Sequence, residues 1–263
     1  MENLVEIKNL YKTYFSQNGF LSQPQEPVYA LKGIDLEIKK GEILALVGES
    51  GCGKSTLGNC ILKLLDVTSG EILFNGENIL NYNKKQTKAF RKKAQMIFQN
   101  PYSSLNPKMK IGEILEEPLI IHKIGNKKQR QENIEEIANL CGLNISDLKK
   151  YPHEFSGGQR QRVAIARALV LKPEFIVADE PISALDVSIA AQIINLLIEL
   201  KEKLNLTFLF ISHDLNIVRY ISERVAILNK GKIVELGTTQ DVYNNPKDDY
   251  TKLLINSIPK IEF

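Results

Sequence analysis

The sequence predicts an α/β fold built on a largely parallel sheet, and two observations lead to this prediction. First, Ile43–Val47 is a continuous apolar run bounded by glycines, which is typical of a strand buried on both faces. Second, a predicted strand over residues 174–178 is followed by a predicted helix over 188–203 and another strand over 207–211. This alternation indicates βαβ units, in which the strands run parallel.

The remaining elements are weaker but consistent. Alternating apolar and polar residues at 5–7 and 34–38 predict half-buried strands, and residues 15–27, which contain glycine and prolines, predict a loop. Apolar residues recur at helical spacing over 111–121 and 129–141. We therefore expect a mostly helical segment between about residues 101 and 171.

Composition excludes several classes of protein. The chain has 263 residues, of which 43% are hydrophobic and 25% charged, as in ordinary globular proteins. A net charge of +3 is too small to indicate nucleic acid or an anionic membrane as the main partner. No apolar run reaches the roughly 20 residues that cross a bilayer, and the N-terminus lacks a secretion-signal pattern. We expect a cytosolic chain with three reduced cysteines, whose basic run at 84–93 is a solvated surface.

The residues after the buried apolar run match the pattern G-x-x-x-x-G-K-[ST] at every position. The predicted phosphate-binding set is Gly48, Glu49, Ser50, Gly51, Cys52, Gly53, Lys54, Ser55 and Thr56. A strand before this loop and a helix after it, predicted here over 56–65, are what its mechanism requires. The glycines let backbone N–H groups point at phosphate oxygens near the positive end of the helix. We expect Lys54 to contact the β and γ phosphates and the Ser55 hydroxyl to bind Mg²⁺.

Further segments follow in a fixed order. They are Gln99 at the end of residues 94–99 (AQMIFQ), residues 155–160 (FSGGQR), 175–180 (FIVADE), 183–186 (SALD) and 211–214 (ISHD). In this order they resemble the ATP-binding subunits of ABC transporters, over about residues 5–236. The segment SGGQ before an apolar strand that ends in Asp-Glu is the most specific of them.

The resemblance implies a P-loop NTPase core with an N-terminal antiparallel β subdomain and a helical subdomain, all within one ABC ATPase domain. The core is expected at about 1–99 and 172–240, the helical subdomain at about 100–171, and a C-terminal extension at about 241–263.

Asp179 and Glu180 are the candidates for metal binding and for activation of water. Asp179 ends a predicted buried strand, at the edge where open α/β sheets bind ligands, and there it can hold Mg²⁺ directly or through water. Glu180 can orient or deprotonate the attacking water, although adjacent acids after a strand can also cap a helix. Gln99 lies at the end of another predicted strand, where its side chain could contact the metal ion and the attacking water. We therefore expect Ser55, Gln99 and Asp179 to be the Mg²⁺ ligands.

The resemblance completes the catalytic set as Glu180, His213 and Gln99. It implies that His213 contacts the γ-phosphate, and that Gln99 links the nucleotide state to the helical subdomain. A histidine after an apolar strand would, without the resemblance, more often be structural.

The residues Ser156, Gly157, Gly158 and Gln159 open a helix predicted over 161–171, and therefore form a second potential anion site. The resemblance implies that two subunits meet head to tail, with this signature segment closing on the ATP of the other subunit. It also identifies Ser183 and Asp186 as part of the D-loop. An ordinary helix N-cap is the alternative for Ser156.

An aromatic ring is the natural partner for adenine, since a stacked base contributes about 1–3 kcal/mol. The resemblance assigns this role to Tyr14, with Phe15 as the competitor, and either could instead have a core or surface role.

Departures from the common family pattern indicate the branch. Phe155 replaces the usual leucine and Ile182 the usual threonine, and both are similar to the peptide/nickel branch of importers, as are residues 98–107 and 250–254. Within it the chain resembles the F-type ATPase subunit of oligopeptide or dipeptide importers. Nickel or another metal chelate is the alternative cargo. No iron–sulfur cluster is expected, because the last cysteine is Cys141.

The resemblance also implies the partners and the location. They are a second ATPase subunit that is a homologue, two integral-membrane permease subunits and an extracytoplasmic binding protein, with no nucleic acid. The chain is then peripheral on the cytoplasmic face of the membrane.

An exposed loop over 100–107, including Tyr102 and Leu105, is the expected docking site for the permease. The alternative is that these residues pack the helical subdomain. A ribosome- or DNA-acting ABC protein and a nucleotide sensor without turnover are the alternative functions.

Overall fold

The computed structural model describes residues 2–15 and 26–257, without the side chains of Tyr102 and Ser103. The strands in chain order are β1 (Asn3–Tyr14), β2 (Val28–Lys39), β3 (Ile43–Val47), β4 (Ser69–Phe74), β5 (Glu77–Asn78), β6 (Ala94–Ile97), β7 (Phe175–Asp179), β8 (Thr207–Ser212), β9 (Arg224–Asn229) and β10 (Lys232–Thr238). The α-helices are α1 (Lys54–Ile61), α2 (Lys84–Lys93), α3 (Pro101–Ser104), α4 (Ile111–Ile121), α5 (Lys127–Leu140), α6 (Gly157–Leu169), α7 (Val187–Leu204), α8 (Leu215–Ile221), α9 (Thr239–Asn244) and α10 (Asp249–Asn256). Most of the loop predicted over 15–27 lies outside the described residues.

The chain divides into two compact units, of which the first comprises residues 1–83 and 209–263. In this unit an antiparallel sheet has the order β2-β1-β4-β5. A second sheet brings together β10, β9, β3 and β8 in that order, and β3 is parallel to β9. All five residues of β3 are buried, as the apolar run predicted. The position of β3 in this sheet therefore determines where the loop that follows it begins.

The second unit comprises residues 84–208. It contains β6 and β7, which are parallel, and all described elements between residues 101 and 169 are helical. Every residue of β7 is buried, and α6 packs against α7. Parallel pairing in both units, an antiparallel N-terminal sheet and helices between the strands confirm the predicted α/β class. The predicted subdomain boundaries stay predictions.

Several elements agree with the sequence to within one residue, whereas β1 and β2 extend well beyond the predicted strands at 5–7 and 34–38. The structure confirms β3 and α4 at their predicted bounds, and α7 and β8 within one residue at each end. The helix after the phosphate loop ends at Ile61 rather than at residue 65, and α6 begins at Gly157 rather than at residue 161. Lys63 has a φ of 51° and its Nζ binds the carbonyl oxygens of Ile79 and Tyr82, both at 2.9 Å. A left-handed residue ends an α-helix, and no glycine marks this one in the sequence.

The segment expected to be a docking loop differs from the prediction. It contains the short helix α3, and the side chain of Leu105 is only 3% exposed. A buried leucine packs the protein interior and cannot contact a partner without rearrangement, so the packing alternative holds for Leu105. The side chain of Tyr102 lies outside the described residues.

We expect Leu105→Ala to lower the free energy of unfolding by about 2–4 kcal/mol, because it removes buried methyl groups and leaves a cavity. Urea unfolding followed by circular dichroism measures this. Leu253→Ala is the matched control, since that side chain is 71% exposed, and it should change the free energy by less than about 0.5 kcal/mol. Equal, small effects of both substitutions would contradict the packing role of Leu105.

Candidate functional site

The loop after β3 is shaped by close approaches of its glycines to other backbone segments. A Cβ added at Gly48 would lie 2.1 Å from the carbonyl oxygen of Leu228, so no side chain fits there. At Gly53, where φ is 115°, an added Cβ would lie 2.6 Å from the Ala30 carbonyl oxygen. The Gly231 N–H also donates to the Cys52 carbonyl oxygen at 3.0 Å. The loop is therefore held by main-chain packing before α1 begins at Lys54.

Lys54 is the charged group of this loop. Its side chain is 6% exposed, and its Nζ donates to the carbonyl oxygens of Gly48 at 2.6 Å and Glu49 at 2.9 Å. A buried charge is costly unless it is hydrogen-bonded, and here the carbonyls of the loop supply the partners. This arrangement holds the ammonium against the backbone of the loop.

Cys52 is the residue of the loop that carries a thiol. Its thiol is buried, and burial raises its pKa, although the nearby Lys54 charge opposes the rise. A raised pKa lowers the fraction of reactive thiolate at neutral pH. Cys52 therefore has the surroundings of a shielded, weakly reactive thiol.

Tyr14 lies beside the same loop. Its hydroxyl is 3.5 Å from the Thr56 hydroxyl in the first turn of α1, and Lys12 Nζ lies 4.9 Å from its ring centroid. The ring is more than a third exposed, so a planar group could still stack on it. Phe15 is more exposed. The contact with Thr56 favours Tyr14 over Phe15 as the candidate for adenine stacking.

His213 directly follows β8, the strand next to β3 in the sheet, and its side chain is exposed. The following residue, Asp214, caps α8 by accepting the backbone N–H groups of Asn216 at 2.9 Å and Ile217 at 3.3 Å. His213 is thus held between a buried strand and a capped helix. Its contact with a γ-phosphate stays a prediction.

In the second unit, Asp179 and Glu180 follow one another but have different surroundings. Asp179 is the last residue of β7 and is 7% exposed. Glu180 is only half-buried and has a φ of 45°, a left-handed conformation that is uncommon for a residue with a side chain. Such strain is typical of functional sites, and here it turns the chain sharply after the strand.

Gln99 and Glu180 are brought together by the structure. The Gln99 Nε2 donates to the Glu180 Oε2 at 2.9 Å, although the residues are 81 positions apart in the chain. Both follow the carboxyl ends of strands that pair in parallel, β6 and β7. A hydrogen bond from an amide donor fixes the orientation of the carboxylate that accepts it. The sequence placed both residues at strand ends but did not predict this bond.

The signature segment and the D-loop are neighbours in the same unit. A Cβ added at Gly158 would lie 2.4 Å from Ile189 Cγ2, so α6 and α7 approach too closely there for any side chain. Ser156 caps α6 by accepting the Gln159 N–H at 3.4 Å, and Gln159 in turn accepts the Ser156 N–H at 2.9 Å. The ordinary capping role considered for Ser156 is therefore present, and it leaves any role toward a second subunit open.

The D-loop is tied to the acidic pair. The Ser183 hydroxyl donates to the Glu180 carbonyl oxygen at 3.1 Å, and Asp186 caps α7 by accepting the Ile189 N–H at 3.0 Å. Ser156, Gln159, Ser183 and Asp186 are all exposed, and the adjoining Val187 is 88% exposed. This signature face, defined as residues 156–159 and 183–187, combines polar groups with an apolar side chain that is largely exposed.

Sequence reasoning missed one residue at the phosphate loop. Tyr250, at the start of α10, accepts the Glu49 N–H through its hydroxyl at 3.1 Å. From the sequence, the tail that contains Tyr250 indicates only the branch of the family. Nothing in a single sequence signals a contact across 201 positions, so only the fold reveals it.

Comparison with known proteins agrees with these features. The family model described as "ABC transporter" matches residues 31–183, and the one described as "Oligopeptide/dipeptide transporter, C-terminal region" matches residues 234–263. The oligopeptide transport ATP-binding protein OppF of Bacillus subtilis is 50% identical over 98% of this chain and 83% of its own length. The dipeptide transport ATP-binding protein DppF of Escherichia coli is 44% identical over 98% of this chain and 77% of its own length.

Solved structures show the same fold. One is the dimeric structure of a post-hydrolysis state of the ATP-binding cassette MJ0796 bound to ADP and Pi, with a TM-score of 0.78 and 34% identity. The match covers 89% of this chain and 98% of that one. Since the family model spans more than half of the chain and close relatives span nearly all of it, the chain belongs to the ABC transporter family of ATP-binding proteins, with an oligopeptide/dipeptide transporter C-terminal region.

Proposed function

We propose that this chain is the ATP-binding and ATP-hydrolysing subunit of an ABC importer that takes up oligopeptides or dipeptides. Membership of the ABC transporter family supports the ATPase, and the relatives' names support the cargo. Nickel or another metal chelate is the alternative cargo. A nucleotide sensor without turnover is less well supported, because the acidic pair 179–180 and its glutamine partner are all present.

The hydrogen bond between Gln99 and Glu180 carries this proposal. Glu180 is the group that would orient or deprotonate the attacking water, and a general base must be held in a defined position to act. Gln99 holds it, and Gln99 also precedes the helical segment that begins with α3. A movement of Glu180 during the reaction would therefore displace Gln99 and, with it, the start of that segment.

The residues proposed to bind Mg²⁺ fit the chemistry of that ion. Ser55 offers an exposed hydroxyl at the first turn of α1, Asp179 a carboxylate at the end of β7, and Gln99 an amide oxygen. Mg²⁺ prefers such hard oxygen ligands and keeps several waters. When bound with ATP, the ion would neutralise charge on the β and γ phosphates. Lys54 and the loop N–H groups would hold the same phosphates, Tyr14 would stack on the adenine, and His213 would contact the γ-phosphate.

The signature face supports work as a dimer. Ser156 and Gln159 present polar groups at a helix start, which suits an anion, and the exposed Val187 beside them suits a protein surface. We propose that this face closes on ATP held by a second ATPase subunit, which is a homologue. The other proposed partners are two permease subunits and an extracytoplasmic binding protein, with the chain on the cytoplasmic face of the membrane.

Among the described residues, no helix combines the length and the apolar character that crossing a membrane requires.

We expect Glu180→Gln to lower ATP hydrolysis by at least ~100-fold while ATP binding persists, because it removes the general base and leaves the phosphate loop unchanged. Phosphate release by the assembled transporter and nucleotide binding by the purified chain measure the two properties. Glu199→Gln is the matched control, since this glutamate lies exposed on α7. Lys54→Ala should instead raise the Kd for the nucleotide itself, because it removes the charge that meets the phosphates. Near-normal hydrolysis by Glu180→Gln would contradict the assignment.

We expect Ser156→Arg to abolish ATP-induced dimerisation and most turnover while the separated subunit still binds ATP. A bulky cation at the signature face would prevent closure, whereas the phosphate loop of the same chain is not altered. Analytical ultracentrifugation with ATP, on the Glu180→Gln background to block hydrolysis, measures dimer formation.

Ser146→Arg serves as the control for this experiment, because Ser146 is an exposed serine of the same unit, outside the signature face. Ser156→Ala controls for loss of the helix cap alone, which should cost about 1 kcal/mol of stability. If Ser156→Arg lowers ATP affinity of the single subunit as much as it lowers turnover, the segment acts within its own chain and the dimer role fails.

A further inference from the structure

The peptide group between Gly48 and Glu49 is held from both sides. Its carbonyl oxygen, on Gly48, accepts the Lys54 Nζ at 2.6 Å. Its N–H, on Glu49, donates to the Tyr250 hydroxyl at 3.1 Å. The first hydrogen bond thus involves Lys54, the lysine proposed to bind phosphate, and the second involves Tyr250 of α10, a helix near the C-terminus.

The two bonds are mechanically linked because a peptide group is planar and rotates as a unit. If the Glu49 N–H turned away from Tyr250, the Gly48 carbonyl would turn with it, and Lys54 would lose its shorter hydrogen bond. Glycine before this peptide makes such a rotation easier than it would be after a residue with a side chain. The Tyr250 hydroxyl therefore restricts the orientation of the carbonyl on which the ammonium rests.

Tyr250 is itself firmly positioned. Two backbone N–H groups just before α10, those of Lys247 at 2.9 Å and Asp248 at 3.1 Å, donate to the Glu235 carboxylate of β10. Asp248 then caps the helix by accepting the Tyr250 N–H at 2.9 Å. Partial burial raises the pKa of Glu235, but these donors outweigh burial and hold the pKa below its usual value, so the carboxylate is charged at neutral pH.

We propose that Tyr250 is a positioning residue for nucleotide binding, which acts through the Gly48–Glu49 peptide to preset the Lys54 ammonium. The proposal rests on the function proposed above, and it deepens that function by adding the C-terminal helix to the phosphate site. Glu235, Tyr250 and α10 all lie within residues 234–263, which match the C-terminal region of oligopeptide/dipeptide transporters. This region then has a role in binding ATP.

Tyr243 provides a matched control within the same unit. It is a tyrosine seven positions earlier, on α9, and its hydroxyl donates to the Leu215 carbonyl oxygen instead of to the phosphate loop. Removing either hydroxyl deletes one tyrosine–backbone hydrogen bond. Only the loss of the Tyr250 hydroxyl should weaken nucleotide binding.

The test is equilibrium binding of Mg·ATP to the purified full chain, with thermal unfolding measured on the same samples. We expect Tyr250→Phe to raise the Kd for ATP about fivefold, the change that corresponds to the loss of roughly 1 kcal/mol. Tyr243→Phe should leave the Kd within about twofold of the wild-type value, even if it lowers the melting temperature more. An unchanged Kd in Tyr250→Phe, or an equal rise in Tyr243→Phe, overturns the proposal.

A double-mutant cycle separates action through Lys54 from general loosening of the loop. If Tyr250 acts on the ammonium, Tyr250→Phe should change the Kd by less than about twofold in a Lys54→Ala chain, because the group it positions is absent. A fivefold rise in both backgrounds would overturn the assigned route. Failure of the wild-type chain to bind ATP would overturn the proposed function as well, whereas normal binding by Tyr250→Phe overturns this inference alone.

Discussion

The phosphate loop depends on one close approach, that of Gly48 to the backbone of Leu228. Because β3 and β9 pair in parallel up to Val47 and Ile227, the residue that follows β3, Gly48, meets the carbonyl of Leu228 with no room for a side chain. Only glycine therefore fits at the point where the chain leaves the strand. The turn that results brings the Gly48 and Glu49 carbonyls to the Lys54 ammonium, and α1 starts at that same residue.

A second tight contact orders the other unit. The approach of Gly158 to Ile189 fixes α6 against α7, and it keeps Ser156 and Ser183 on one exposed face. Ser183 is bonded to the carbonyl of Glu180, whose left-handed backbone is strained. The unit can hold that strain because the buried strand β7 precedes it and the capped helix α7 follows it. The signature face and the acidic pair therefore share one rigid support.

Much of this could be predicted from the sequence, for identifiable reasons. Strand β3 was placed correctly because five consecutive apolar residues between glycines have few alternatives, and α4 because its apolar residues recur at helical spacing. The end of α1 was misplaced, since a left-handed lysine at position 63 is stabilised by carbonyls 16 and 19 positions away. The proline and small polar residues around Leu105 predict a surface position, whereas packing within its unit buries it.

The sequence by itself determined the identity of the chemical groups and their order. A glycine pattern with lysine follows one buried strand and an Asp-Glu pair follows another, and both the residue types and their spacing can be read directly from the sequence. Only the tertiary structure decided which distant groups meet. The bond between Gln99 and Glu180 spans 81 positions, and that between Glu49 and Tyr250 spans 201. Such contacts are set by strand pairing and by packing between elements, and these depend on the whole chain rather than on local pattern.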